Sequence, residues 1–160
     1  VSKLNTEENG FGKPQVAAGY GSTVYIIWGG SSDNQVSSIY LVKSDDNGIS
    51  LRDIKKIEET EQGKINNPLN VEIVVDDINR LFIAWQDRIG TAEETEKEDI
   101  LSAISLDSGE SFESTINISN NADTSECPSI VMNGDNIYIT WEDLTPGNHE
   151  VLYRHGLLSF

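Results

Sequence analysis

Cysteine occurs once in 160 residues, at Cys127, so no disulfide can form within the chain. It follows a polar loop, precedes Pro128 and has no histidine near it in sequence. A small, half-buried thiol fits that setting better than a nucleophile. Basic residues are scarce as well: 11 lysines and arginines stand against 27 acids, for a formal charge of -16. No basic patch interrupts the excess, which argues against nucleic acid or an anionic membrane surface as a partner. No run approaches the roughly 18 apolar residues of a membrane-spanning helix. Capped helical periodicity is also missing; Glu93–Asp99 tolerates helix by composition but has no apolar stripe. The chain opens on Val1 without a signal peptide, as expected of a processed product or a piece of something longer.

What is present is self-similarity. Three segments align: Pro14-Gln15-Val16 leading to Val24–Trp28, Pro68-Leu69-Asn70-Val71 leading to Leu81–Trp85, and Pro128-Ser129-Ile130-Val131 leading to Ile137–Trp141. The tryptophans are 57 and 56 residues apart. Strand-like runs at this period predict blades of four antiparallel strands, a to d. Strand a is Gln15–Ala18, Asn70–Val75 and Ser129–Met132; strand b is Thr23–Trp28, Arg80–Trp85 and Asn136–Trp141. Strand c is Ser38–Lys43, Asp99–Ile104 and Glu150–Arg154; strand d is Asp53–Glu58 and Ser114–Ile118. The blades run approximately over 14–58, 68–118 and 128–155, within one domain of 1–160. The third lacks a d strand, and Val1–Asn5 reads as a d strand without its own a, b and c.

Two c–d connections share a pattern. Ser105-Leu106-Asp107-Ser108-Gly109-Glu110-Ser111-Phe112 has the form S-x-D-x-G-x-S-aromatic, and Ser44-Asp45-Asp46-Asn47-Gly48-Ile49-Ser50-Leu51 is a weaker copy 61 positions earlier. Asp can accept hydrogen bonds from backbone N–H groups just ahead of it, and Gly supplies the positive φ that closes the turn. At the third copy Gly156 stands where the first Ser belongs.

These turns resemble the Asp-box of the sialidase-like (BNR repeat) β-propellers. The resemblance implies an all-β, propeller-like array of three four-stranded antiparallel blades, half of a six-bladed ring. It also implies a secreted or cell-surface setting. Ser44, Asp46, Gly48, Ser105, Asp107, Gly109 and Phe112 are then structural, at the rim away from the ligand face. Three blades cannot easily surround one axis, so either two chains close a ring as a homodimer or the chain is half of a longer one.

Ligands are expected at the b–c and d–a loops, where Arg88, Glu93, Glu142, Asp143 and His149 are the candidate ligand-face residues. The loop Gln86–Glu98 carries Asp87, Glu93, Glu94, Glu96 and Glu98, a solvated acidic loop or, less simply, a divalent-cation site, although no D-x-D-x-D-G cage is present. No other cofactor is implied. A sialidase needs an arginine triad, because the planar guanidinium grips a carboxylate with two hydrogen bonds. Of the four arginines, Arg52 and Arg80 fall at the opposite face and Arg154 lies in strand c, which leaves Arg88. The expected function is therefore a non-catalytic module binding a protein or glycan. A sialidase-type hydrolase complete only as a dimer or longer chain is the alternative, and a structural repeat without a ligand is the third reading. Trp28, Trp85 and Trp141 are expected to pack between blades rather than stack on sugar.

Overall fold

The computed structural model describes Leu4 and residues 12–31, 37–57, 67–89, 97–145 and 147–158. Among them every regular element is a strand. The first sheet runs β1 (Gln15–Ala18), β2 (Val24–Ser31), β3 (Ser37–Ser44), β4 (Lys55–Ile57) in spatial order. The second repeats that order with β5 (Leu69–Val75), β6 (Leu81–Ile89), β7 (Lys97–Ser105) and β8 (Ile116–Asn117). The third has β9 (Ser125–Asn133), β10 (Asn136–Asp143) and β11 (Glu150–Leu157), with β11 at its edge. All pairings are antiparallel. The expected blades are thus present, but the third has three strands among the described residues. The Val1–Asn5 strand lies outside those residues, apart from Leu4.

Strand alternation builds the core. Successive side chains point to opposite faces, so each b strand serves two interfaces. Tyr25 and Ile27 pack with Leu81, Ile83 and Trp85 between the first and second sheets. Phe82 and Ala84 pack with Ile137, Ile139 and Trp141 between the second and third. Ile26 and Trp28, together with Tyr40, Val42 and Leu4, form a smaller cluster on the far face of the first sheet. All three tryptophans are buried, as their repeated position implied.

Register corrects one alignment. Gln15 faces Ile27, Glu72 faces Ala84 and Ser129 faces Thr140, each one residue before its tryptophan. Val71, not Pro68, therefore takes the place of Pro14 and Pro128. The pairing shifts between Leu69 and Glu72, and between Thr140 and Glu142 opposite β9. At these bulges Asn70 and Cys127 hold equivalent positions with φ of 48° and 53°. An extra residue in one strand displaces everything before it by a step that spacing alone does not reveal.

Both S-x-D-x-G-x-S turns have one geometry. Asp46 Oδ1 accepts from Ser44 Oγ and Ser50 N, each at 2.8 Å, and the Gly48 N–H donates to Ser44 Oγ at 2.8 Å. Asp107 Oδ1 accepts from Ser105 Oγ and Ser111 N at the same distances, and the Gly109 N–H donates to Ser105 Oγ at 2.8 Å. Paired positive φ values, 60° and 82° at Asn47-Gly48 and 61° and 85° at Ser108-Gly109, make the reversal. Asp107→Ala is expected to lower stability by about 1–3 kcal/mol through its orphaned donors, with any ligand affinity unchanged. Urea melts and a ligand titration check the two halves; normal melting with lost binding would place the ligand at this turn.

Candidate functional site

Inner strands β1, β5 and β9 lie side by side, and polar groups gather where their starts meet the ends of the b strands. Glu72 sits within the otherwise apolar run Val71-Glu72-Ile73-Val74-Val75. It accepts a hydrogen bond from Gln15 Nε2 of the neighbouring sheet at 3.2 Å. Burial raises its pKa, and the positive charge of Lys13 only partly opposes that. Gln86 is buried and ties the second sheet to the third: its Oε1 accepts from Asn70 Nδ2 at 3.0 Å and from Cys127 N at 3.1 Å, while its Nε2 donates to Glu98.

Cys127 is exposed, not half-buried as expected from sequence. Burial on its inner side and the charges of Glu142, Glu126 and Glu98 raise its pKa, with Lys13 opposing. The thiol stays protonated at neutral pH, which makes it a poor nucleophile. Lys13, Glu98, Glu126 and Glu142 are thus the charges that act on this thiol. The arrangement offers one desolvated carboxyl, several amides and a rim of carboxylates.

Two carboxylates read from sequence as loop acids are instead fastened inside. Asp87 is 1% exposed; its Oδ2 accepts from Trp85 Nε1 at 3.1 Å and its Oδ1 from Asn67 N at 2.7 Å. Asp143 is wholly buried and accepts from Trp141 Nε1 at 3.0 Å, Ser125 Oγ at 2.8 Å, Thr145 N at 2.9 Å and Asn121 Nδ2. Burial pushes the Asp143 carboxyl up, but the bonds from Trp141, Ser125 and Thr145 outweigh it and hold the pKa at about 2. Asp143 therefore presents nothing to a ligand. Trp-x-Asp is a structural clip on the second and third b strands; the first has Trp28-Gly29-Gly30 there, where Gly29 closes against the Pro68 carbonyl of the next sheet.

Of the other sequence candidates, Arg88 and Glu142 are exposed at the ends of β6 and β10, and His149 is exposed before β11. Glu93 lies outside the described residues, with most of the acidic loop proposed for a cation. Among the described residues no three acids, histidines or cysteines converge as metal ligands. Arg52 and Arg80 stand at the opposite end: Arg52 pairs with Asp45 and Glu110, and Arg80 bridges Asp76 to Asp135 of the next sheet. Glu72 and Gln86 escaped the sequence reading. The signal for Glu72 was a lone charge inside a β-branched run.

No family model matches this sequence, and no curated protein does. Solved structures do resemble the fold. An endo-arabinase from Bacteroides thetaiotaomicron matches with a TM-score of 0.52 and 12% identity over 86% of this chain and 52% of its own. A mutant α-L-arabinofuranosidase from Fusarium graminearum, solved with an iminosugar inhibitor, matches with a TM-score of 0.58 and 12% identity, covering 98% of this chain and 49% of its own. A third structure, described as a glycoside hydrolase, gives a TM-score of 0.51 and 10% identity over 91% and 52%. The chain spans about half the length of each, and its fold is that of a partial β-propeller. These three are described as an endo-arabinase, an α-L-arabinofuranosidase and a glycoside hydrolase, and none of them as a sialidase.

Proposed function

We propose that the chain is a glycan-binding half-propeller that holds a saccharide over the starts of β1, β5 and β9. The observation that carries this is Glu72, a desolvated carboxyl on an inner strand beside Gln15 and within the field of Lys13. Sugar hydroxyls donate and accept at once. A carboxyl with neighbouring amides meets both needs. The glycan activities of the structurally similar proteins favour a sugar over a protein ligand, and a pentose-containing one first.

Glycoside hydrolysis needs two carboxyl groups flanking the bond, one of them holding a proton. The raised pKa of Glu72 suits it to the proton-donating role, which gives the second reading: a hydrolase whose other carboxyl is contributed by the remainder of a ring. A binding module is the reading that this chain's own residues support.

Calorimetric titration with arabino-oligosaccharides tests both. Glu72→Gln is expected to weaken binding about ten- to a hundredfold, the loss of a hydrogen bond to a charged group. The sign of its stability effect is also fixed. A raised carboxyl pKa favours the folded state at low pH and loses that advantage as pH rises through the folded value. Glu72→Gln should therefore melt higher than the parent at pH 7 and no higher at pH 4. Undiminished binding by a Glu72→Gln, Gln15→Ala double variant would move the site elsewhere. Release of reducing ends that Glu72→Gln abolishes would promote the hydrolase.

A further inference from the structure

Each sheet has a leading face toward the one before it and a trailing face toward the one after it. The leading residues are Ile26 and Trp28, Ile83 and Trp85, and Ile139 and Trp141. On the trailing side Tyr25 and Phe82 are buried between sheets. Tyr138 is their equivalent on the third sheet, but there it stacks only on Tyr153 and His155 of β11. Tyr153 is 61% and Val151 75% exposed, and Val131 on β9 is exposed too. The third sheet thus has a trailing face of interior type with nothing on it among the described residues.

The first sheet has the complementary feature. Ile57 of β4 packs on the second sheet, and Ile118, just after β8, packs on the third. Leu4 packs on the leading face of the first sheet. It stands 10 positions before Pro14, as Ile118 stands 10 before Pro128. Leu4 therefore occupies the place of an outer-strand residue from a preceding blade, although no preceding sheet exists among the described residues. Under the same cover the Tyr40 hydroxyl is buried without a hydrogen-bond partner.

We infer that two copies of this chain close on each other, the leading face of each on the trailing face of the other. Leu4, packed on that leading face, then lies against the edge of the partner's third sheet. A second copy is the favoured occupant because its leading face, with Ile26, Trp28 and Leu4, is what would cover Tyr138 and Tyr153. Two such contacts around a two-fold axis close with no edge left over, whereas a head-to-tail packing whose rotation does not close grows an open filament. The closed object has six sheets, within the usual range for propellers. It also has about the length of the α-L-arabinofuranosidase, of which this chain covers 49%. The inference does not depend on any ligand.

Sedimentation velocity on the intact chain is the test. The expected result is one species of about 35 kDa, twice the 17.7 kDa chain. Tyr153→Glu puts a charge on the exposed face without touching a buried residue, and should weaken the dimer about tenfold or more while leaving the circular dichroism unchanged. Because both copies are acidic, the dimer should also tighten with added salt. A folded monomer at micromolar concentration would overturn the inference and leave the faces to the rest of a longer chain. An open ladder of higher species, or a dimer indifferent to Tyr153→Glu, would overturn it as well.

Discussion

Trp85→Ala is expected to cost about 3–5 kcal/mol of stability, the upper range for large-to-small changes in a core. The indole is 1% exposed and packs between the first and second sheets among Tyr25, Leu41, Val71 and Leu101. Its removal opens a cavity that two facing sheets cannot collapse to fill. It also takes away the indole N–H that donates to buried Asp87 at 3.1 Å. Trp85→Phe separates the effects, since it keeps most of the apolar volume and loses only the Nε1 donor; its cost should fall to about 1–3 kcal/mol. Against a total stability of about 5–15 kcal/mol for an ordinary domain, the alanine variant should be largely unfolded in moderate urea where the parent is folded. Equal losses for the two variants would assign the effect to the hydrogen bond; a loss below 1 kcal/mol for alanine would contradict the packing of the first two sheets.

The three tryptophans made the repeat legible, and the structure explains why. A b strand is covered on both faces, so its aromatic and β-branched residues recur at fixed steps. The S-x-D-x-G-x-S turns were legible because each of their hydrogen bonds is local in sequence. The third sheet shows where local information ends. Tyr138 looks like Tyr25 and Phe82 in sequence, yet it lies on a face that none of the described sheets covers. Repeat patterns describe a unit and its neighbours, not which neighbour is missing. That Val71 and not Pro68 matches Pro14 and Pro128 was hidden for a similar reason, since register is set by pairing across strands. Asp87 and Asp143 could have been read correctly. Two residues beyond a buried tryptophan on a strand lies the same face, so Trp-x-Asp places the carboxylate inward, where the indole N–H meets it.

Asp143→Ala should destabilise the third sheet by about 3 kcal/mol or more, because each buried donor left without an acceptor costs roughly 1–3 kcal/mol. Four donors depend on this carboxylate: Trp141 Nε1, Ser125 Oγ, Asn121 Nδ2 and Thr145 N. They come from three stretches of chain, so the loss falls on the join between β9, β10 and the loop ahead of them. Asp143→Asn is the sharper probe. It keeps one acceptor oxygen but turns an amide N–H₂ toward groups that are themselves donors. Acidity supplies an independent reading. The Asp143 pKa is held at about 2 against an ordinary 3.8, so its contribution is complete above about pH 4 and is lost as pH falls toward 2. Asp46, held down chiefly by Ser50, and Asp107, where bonds from Ser111 and Ser105 overcome burial, also titrate at about 2. The parent should therefore lose stability steeply across that window, and Asp143→Asn should lose less because the contribution of this carboxylate is gone. Urea melts at pH 4, 3 and 2 measure the slope. An unchanged slope in Asp143→Asn would assign the acid sensitivity to the two turns and show that the Asp143 site is not held more tightly in its charged form.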